Sequence, residues 1–407
     1  MEMSLSSVKD HLIMDENLKN IFFNDADDKE SYKKVGEIFT NIMLAEAYEK
    51  ISERGPDVFY KGEIAENIIK ATRNRGGIMT MQDLMKYRVE VVEPFEFEYR
   101  EQKIISAPPP ASGHVIALAL QILDNFQLST FETLKAWNYI IEAMRFAFAM
   151  RSQTGDPKFS MQTVDIVESI HEKKYMEKFV KEHFTEDNNG RLHPFTDVNN
   201  YSKPFYANYD GTHTTHVSVL GPDGEAVSCT STVNLYFGSC VMTDNGIVMN
   251  NVMDDFSSPK FENAFGYQPS PENFIVAGKR PMSSTSASIV LDRDGEASFV
   301  TGAAGGSRII SSTILSLINA LDWKMSLTDN QNAVRIHDQL HDGQTLYEVL
   351  DVVKPLDPTI KDGLTDLGYN MTAWERGMSA VTSVSRLSGN IEAAGDPRKG
   401  GTGIVID

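Results

Sequence analysis

The chain has 407 residues, with 38 Lys+Arg against 57 Asp+Glu and a formal charge of −19. An acidic chain without a basic stretch excludes a binder of the nucleic-acid backbone, because no cation cluster is present to displace counterions. An apolar content of 41 % is enough for a sizeable core. The longest near-apolar run, residues 115–123 (VIALALQIL), falls far short of the ~20 residues that a membrane-spanning helix needs.

Taken in chain order, residues 32–52 carry Val35, Ile38, Phe39, Ile42, Met43 and Ala45 at helical spacing, and Gly55-Pro56 ends the pattern. Further helices are predicted at 64–72 and at 81–87, the second capped by Thr80. Residues 90–107 alternate as a pair of strands, broken by Arg100-Glu101-Gln102. Helices are then expected at 115–123, 134–151 and 164–183. Residues 185–213 (TEDNNGRLHPFTDVNNYSKPFYANYDGTH) have no apolar period and read as an exposed connector. Beyond it the predicted elements are strands at 214–220, 225–233, 247–251, 286–292 and 296–301. Gly302-Ala-Ala-Gly-Gly306 follows, and then a helix at 307–321. A helix-rich half before a strand-rich half predicts an α+β layered core.

Gly221-Pro222-Asp223-Gly224 suits a three-residue hairpin loop, with Pro second in the turn and Gly in the left-handed position. That loop pairs Gly221 with Glu225 and, in step, Thr214 with Thr232, close enough for their hydroxyls to meet. A threonine hydroxyl is a weak nucleophile unless a base adjoins it. At a free N-terminus the α-amine, with a pKa of about 7.7–8.0, is that base. Such chemistry requires a cut between His213 and Thr214, at the end of the connector. It also needs donors for an oxyanion, and Gly305 and Gly306, ahead of a helix, can present backbone N–H groups. On the hairpin alone, a threonine-rich strand face without chemistry is the competing reading.

Several ordered blocks resemble the gamma-glutamyltranspeptidases, a family of N-terminal nucleophile hydrolases: THTTHVSVLGPDGEAVSCTSTVNLYFGS, GIVMNNVMDDFSSP, KRPMSSTSASIV and VTGAAGGSRI. ISAPPPASG and IIEAMRFAFAMRSQTGDPKF extend the likeness upstream, and DPRKGG extends it downstream. The resemblance implies a four-layer α/β/β/α sandwich made as one precursor. Residues 1–213 would be the large-subunit part and 214–407 the small-subunit part around one shared core, held as a heterodimer after self-cleavage. It implies Thr214 as nucleophile, with Thr232 hydrogen-bonded to it and Gly305 and Gly306 as the oxyanion hole. Asn234 and Asp255 would hold the amino-acid end of a γ-glutamyl group, and Ser283 and Ser284 its carboxylate. Glutathione and other γ-glutamyl donors would be substrates, water and amino acids or dipeptides the acceptors, and no cofactor or metal is implied. The family location is the outer face of the plasma membrane. The opening segment shows no secretory signal or anchor, whereas triplets at Asn200 and Asn370 suit glycosylation.

The chain departs from the family pattern in two places. Val252 stands where the family has Glu or Gln. No Asn-Ala-Arg-Glu-like segment with a carboxylate-clamping arginine is found, so the chain is expected to begin partway into the large subunit. A related acylase with an altered donor, favoured by Val252, is one alternative. A non-catalytic relative serving as a binding module, favoured by the missing arginine, is another. His337 and His341, four apart, lack a third ligand with metal spacing. His216 is expected on the face of Thr214 in a supporting role, and Asp254 as a structural partner. Cys229 and Cys240 read as two reduced thiols.

Overall fold

The structure, a computed structural model, describes residues 2–201, 213–259, 269–340 and 343–406. The chain divides into two compact units, residues 1–92 with 232–252 and residues 93–231 with 253–407.

The first unit holds α1 (Glu2–Leu12), α2 (Glu16–Phe22), α3 (Ile42–Arg54), α4 (Asp57–Lys61), α5 (Glu63–Asn74) and α6 (Met81–Lys86). Leu5, Leu12, Leu18, Phe22, Tyr32 and Met242 form one core cluster, and Ala47, Val58, Ile64 and Ile68 form another. Asp15 ties the unit together. One of its oxygens accepts the Asn17 and Leu18 N–H groups that open α2, and the other accepts from Met242 N–H and Arg75. Thr80 caps α6 as expected, and Asp83 completes a capping box with it. The helix predicted from residue 32 begins only at Ile42. Asn41 caps it through Leu44 N–H while its amide is drawn to Gly246 O, and Val35 and Ile38 ahead of it are exposed. The strand predicted at 247–251 is not formed. Thr243 bonds Ile247 in a turn, which leaves a single bridge between Met242 and Val248.

The second unit begins with β1 (Phe95–Tyr99), β2 (Gln102–Ser106), α7 (Gly113–Leu123), α8 (Leu134–Arg151), α9 (Met161–His171) and α10 (Lys173–His183). After the connector come β3 (His213–Leu220) and β4 (Ala226–Asn234), whose last three residues belong to the first unit. Next are β5 (Ser288–Leu291), β6 (Ala297–Ala304), α11 (Arg308–Leu321), α12 (Leu327–Asn332), β7 (Ile336–His337) and β8 (Gln344–Glu348). The chain continues through α13 (Pro358–Leu367), β9 (Asn370–Trp374), β10 (Ala380–Ser385) and β11 (Glu392–Ala394). Six strands make an antiparallel sheet in the order β1-β2-β5-β6-β10-β11, while β7, β8 and β9 form a small separate sheet. α7 and α11 lie on one face of the large sheet, with α8 packed on α7.

Residues predicted as one helix at 164–183 form two. Ile170 is buried from α9 and Met176 from α10. Six residues of a straight helix would turn these two side chains away from each other, so the extended Glu172 resets the angle and both reach the core.

The connector is not wholly exposed. Leu192 and Tyr201 are buried, the first held at both backbone groups by the Asn138 side chain, while the Tyr201 hydroxyl donates to Glu142 at 2.8 Å. Residues 202–212 lie outside the described residues.

Alternation along β6 decides what covers each face of the sheet. Thr301 points to the helices, with its hydroxyl 3.2 Å from that of Ser316 on α11. Gly302 points the other way, where the imidazole of His216 on β3 lies so close that a Cβ would fall 2.2 Å from its Cε1. Ser218 donates to Thr382 O, Thr382 to His216 O and Ser228 to Thr301 O, which stitches the β3–β4 ribbon to the sheet. Gly302→Ala should therefore cost about 1–3 kcal/mol through overpacking, measured by urea unfolding. An unchanged midpoint would show that the ribbon yields without penalty.

Candidate active site

The hairpin loop is built as its sequence predicts. Gly221 N–H donates to Glu225 O at 2.7 Å, and Gly224 closes the turn with a φ of +88°. Further along the ribbon, His216 Nδ1 lies 2.7 Å from Thr230 Oγ1, in the same register. Gly224 at the tip sits beside Glu296, and His216 sits over Gly302. β3 thus runs antiparallel to β6 across the layers, so Thr214, two residues before His216, comes at the Ala304 end of β6. That is the end from which Gly305 and Gly306 lead into α11. Thr214 is half-buried and alternates onto the same inward face as His216 and Ser218.

Gly305 has a φ of +146° and Gly306 one of +67°. A Cβ on Gly305 would come within 2.7 Å of Met378 O and of Ser379 Cβ, so both conformation and space demand glycine there. Gly306 O accepts from Ile309 N–H as α11 begins.

Ser283 and Ser284 lie in an extended stretch ahead of β5. Ser283 N–H donates to Pro110 O, and its carbonyl accepts from Ser112 Oγ at 2.6 Å. Arg151, the buried last residue of α8, donates to Ser284 Oγ at 3.0 Å and to Ser112 Oγ at 3.2 Å. The backbone carbonyl of Asp255 holds the Asn273 amide at 2.7 Å.

Thr232 and Asn234 belong to the first unit, and the other predicted site residues to the second. Thr232 Oγ1 accepts from Asn234 N–H at 2.9 Å. Asn234, buried and left-handed at φ +73°, donates through its side chain to Asn251 O. Asparagine tolerates that conformation, and Asn251 returns the contact by accepting from Leu235 N–H.

Arg151, which no spacing in the sequence marks, joins the candidate site through its bond to Ser284. His216, shielded from water, has its pKa pushed down to about 4. His337 is pushed down to about 3 by burial, with Arg308 adding to the effect, and lies against Ser311 Oγ and the Phe148 ring. His341 lies outside the described residues. Among the described residues no three His, Cys, Asp or Glu side chains are grouped to hold a metal.

The sequence profile described as Gamma-glutamyltranspeptidase matches residues 1–406. The chain belongs to the gamma-glutamyltranspeptidase family. Two similar relatives are glutathione hydrolase proenzymes. That of Arthroderma benhamiae is 36 % identical over 386 residues, covering 92 % of this chain and 62 % of the relative. That of Escherichia coli is 34 % identical over 396 residues, covering 94 % and 64 %. This member of the gamma-glutamyltranspeptidase family thus spans a little under two thirds of the length of these curated relatives. The crystal structure of cephalosporin acylase from Bacillus halodurans matches the whole chain with a TM-score of 0.80 at 22 % identity, covering 70 % of that chain. The α+β fold of the N-terminal nucleophile type is therefore the one this family member has.

Burial holds His114, His216 and His337 neutral in the fold, with His114 also lowered to about 3. Their native pKa values lie below the unfolded value of about 6.5, so their contribution to stability is complete above that pH and is lost as pH falls through it toward the native values. In His216→Gln the slope of unfolding free energy between pH 6.5 and 4 should fall by about 1.4 kcal/mol per pH unit. Urea melts across that window measure it, and an unchanged slope would mean that His216 is charged in the fold.

Proposed function

We propose that this chain is a gamma-glutamyl hydrolase and transferase whose nucleophile is Thr214, freed as an N-terminus by self-cleavage of the His213–Thr214 bond. The observation that carries the reading is the antiparallel run of β3 along β6, with Thr214 at the end where Gly305 and Gly306 begin. The glutathione hydrolase proenzymes among the relatives agree with it.

In this reading Thr214 Oγ first adds to the His213 carbonyl carbon, the His213–Thr214 C–N bond breaks, and the resulting ester is hydrolysed by water. The two fragments stay together as a heterodimer. In turnover the α-amine of Thr214 takes the hydroxyl proton as Oγ adds to the γ-glutamyl carbonyl. Gly305 and Gly306 N–H groups receive the oxyanion. The amide C–N bond breaks, the departing amine takes the proton, and water or an amino acid or dipeptide then accepts the acyl group. By resemblance to the family, Thr232 is the hydroxyl that serves Thr214. Ser283 and Ser284, backed by the Arg151 guanidinium, suit the donor's carboxylate; Asn234 and Asp255 suit its amino-acid end. Glutathione is the donor of choice. A plasma-membrane location follows the family; among the described residues no helix is long and apolar enough to cross a membrane.

Val252 favours a second reading, an acylase with an altered donor, because a valine offers nothing to the substrate ammonium. Mass spectrometry of the purified protein should show a fragment beginning at Thr214, and Thr214→Ala should stay intact. A well-folded chain that never splits would remove the free amine and the mechanism with it. In the cleaved enzyme Val252→Glu should lower the KM for a γ-glutamyl anilide by about tenfold, the worth of one charge-assisted hydrogen bond. Unchanged kinetics would favour the acylase reading.

A further inference from the structure

Beneath the glycine loop of the second unit lies a group of four buried charges. Asp396 is 0 % exposed, Glu348 1 % and Arg335 4 %, and the Arg398 side chain is fully covered. Arg335 pairs with Asp396 at 2.6 Å, and Arg398 pairs with Glu348 at 2.6 Å and with Asp396 at 3.2 Å. The charges balance two against two. Burying them still costs desolvation that an apolar cluster of the same volume would avoid.

What the charges provide is direction. Glu348 Oε1 accepts Met378 N–H at 2.8 Å, Arg335 Nη1 donates to Ser379 O at 2.6 Å, and Asp396 Oδ2 accepts Val381 N–H at 2.7 Å. Three backbone anchors therefore fall within residues 378–381. The Ser379 hydroxyl, 0 % exposed, makes no hydrogen bond, so the backbone anchors and not that side chain fix the stretch. Gly305 is seated on this same stretch, against Met378 O and the Cα and Cβ of Ser379, while Ala380 pairs with Ala304 just before it. From the other side Lys399 reaches Ala304 O at 3.5 Å.

We infer that Arg335, Glu348 and Asp396 are positioning residues for the oxyanion loop, acting through residues 378–381 on the Gly305 and Gly306 N–H groups. The inference rests on the function proposed above. Such donors work only where they meet the developing charge, and small displacements are costly in rate.

The test compares wild type with Glu348→Gln, which keeps an acceptor for Met378 but loses the charge toward Arg398. It adds Arg335→Lys, whose single ammonium keeps the charge toward Asp396 but cannot span both partners. Each protein is titrated for free N-terminal Thr214, and kcat and KM are measured with a γ-glutamyl anilide alongside the thermal midpoint. Positioning predicts kcat per free Thr214 lowered about ten- to a hundredfold with KM within about twofold, in enzyme that remains folded. A merely structural cluster would lower the thermal midpoint and leave kcat per free Thr214 at the wild-type value, which would overturn the inference. Failure of both variants to fold would overturn it too, because the cluster would then serve the fold alone. If wild type with a free Thr214 shows no turnover, the proposed function falls and takes this inference with it; the wild-type measurement distinguishes that failure from the others.

Discussion

The seating of the His216 imidazole on the bare Cα of Gly302 governs how the second unit closes. Packed sheets normally stand about 10 Å apart and interlock side chains from both layers. Here one layer contributes no side chain at the contact, and a single ring fills the gap. The ring nitrogens face hydroxyls on Thr230, Ser218 and Ser228, so they are satisfied without a charge. A consequence is an inverted strand pattern. The ribbon turns threonine, serine and histidine inward and leaves Val217, Val219 and Val227 about half exposed. An apolar interior would have held the layers equally well but could not have lined them with hydroxyls.

The second unit uses buried polarity in another place as well. Glu142 accepts from the hydroxyls of Tyr201 and Tyr369, and Arg145 binds Asp338 at 2.8 Å while reaching Tyr201. Burial drives the Glu142 carboxyl up, and the Arg145 guanidinium with the two phenols pulls it back. Removing any one member would leave a buried charge or hydroxyl unmatched, at a cost larger than the net worth of the whole network. Like Arg335, Glu348 and Asp396, which end on the backbone of residues 378–381, Glu142 and Arg145 end on groups of distant segments. They specify where those segments lie more than they add to stability.

Much of the architecture was legible where local chemistry decides it. The GPDG loop and the Thr80 cap of α6 follow from turn and cap chemistry alone, and the uninterrupted apolar run of α7 matches its burial. The structure departs from the sequence pattern where a side chain answers to something distant. Asn41 starts α3 because Gly246 lies within reach of its amide, and nothing near residue 41 announces that. Glu172 breaks a helix because two buried residues must face one core. Leu192 and Tyr201 sit in a polar stretch of sequence, and only Asn138 and Glu142, far from them in the chain, account for their burial. Of the candidate site, the hairpin register and the glycine turn could be read from spacing. The roles of Asn234, Asp255, Ser283 and Ser284 rested on resemblance, since isolated polar residues far apart in the chain carry no pattern. Arg335, Glu348 and Asp396 are scattered over some sixty residues, and only the folded chain brings them together.

The strand order has one more consequence. β1 and β2 precede the connector, yet β2 pairs along its length with β5, which follows it, in the middle of a single sheet. Glu142 and Arg145, ahead of the connector, likewise meet Tyr369 and Asp338 from beyond it. A break in the backbone between Tyr201 and Thr214 therefore releases neither piece, because parting them means unzipping the sheet. It does change the molecularity of unfolding. A chain that melted as one molecule becomes two that must find each other again, so its melting point acquires a dependence on protein concentration.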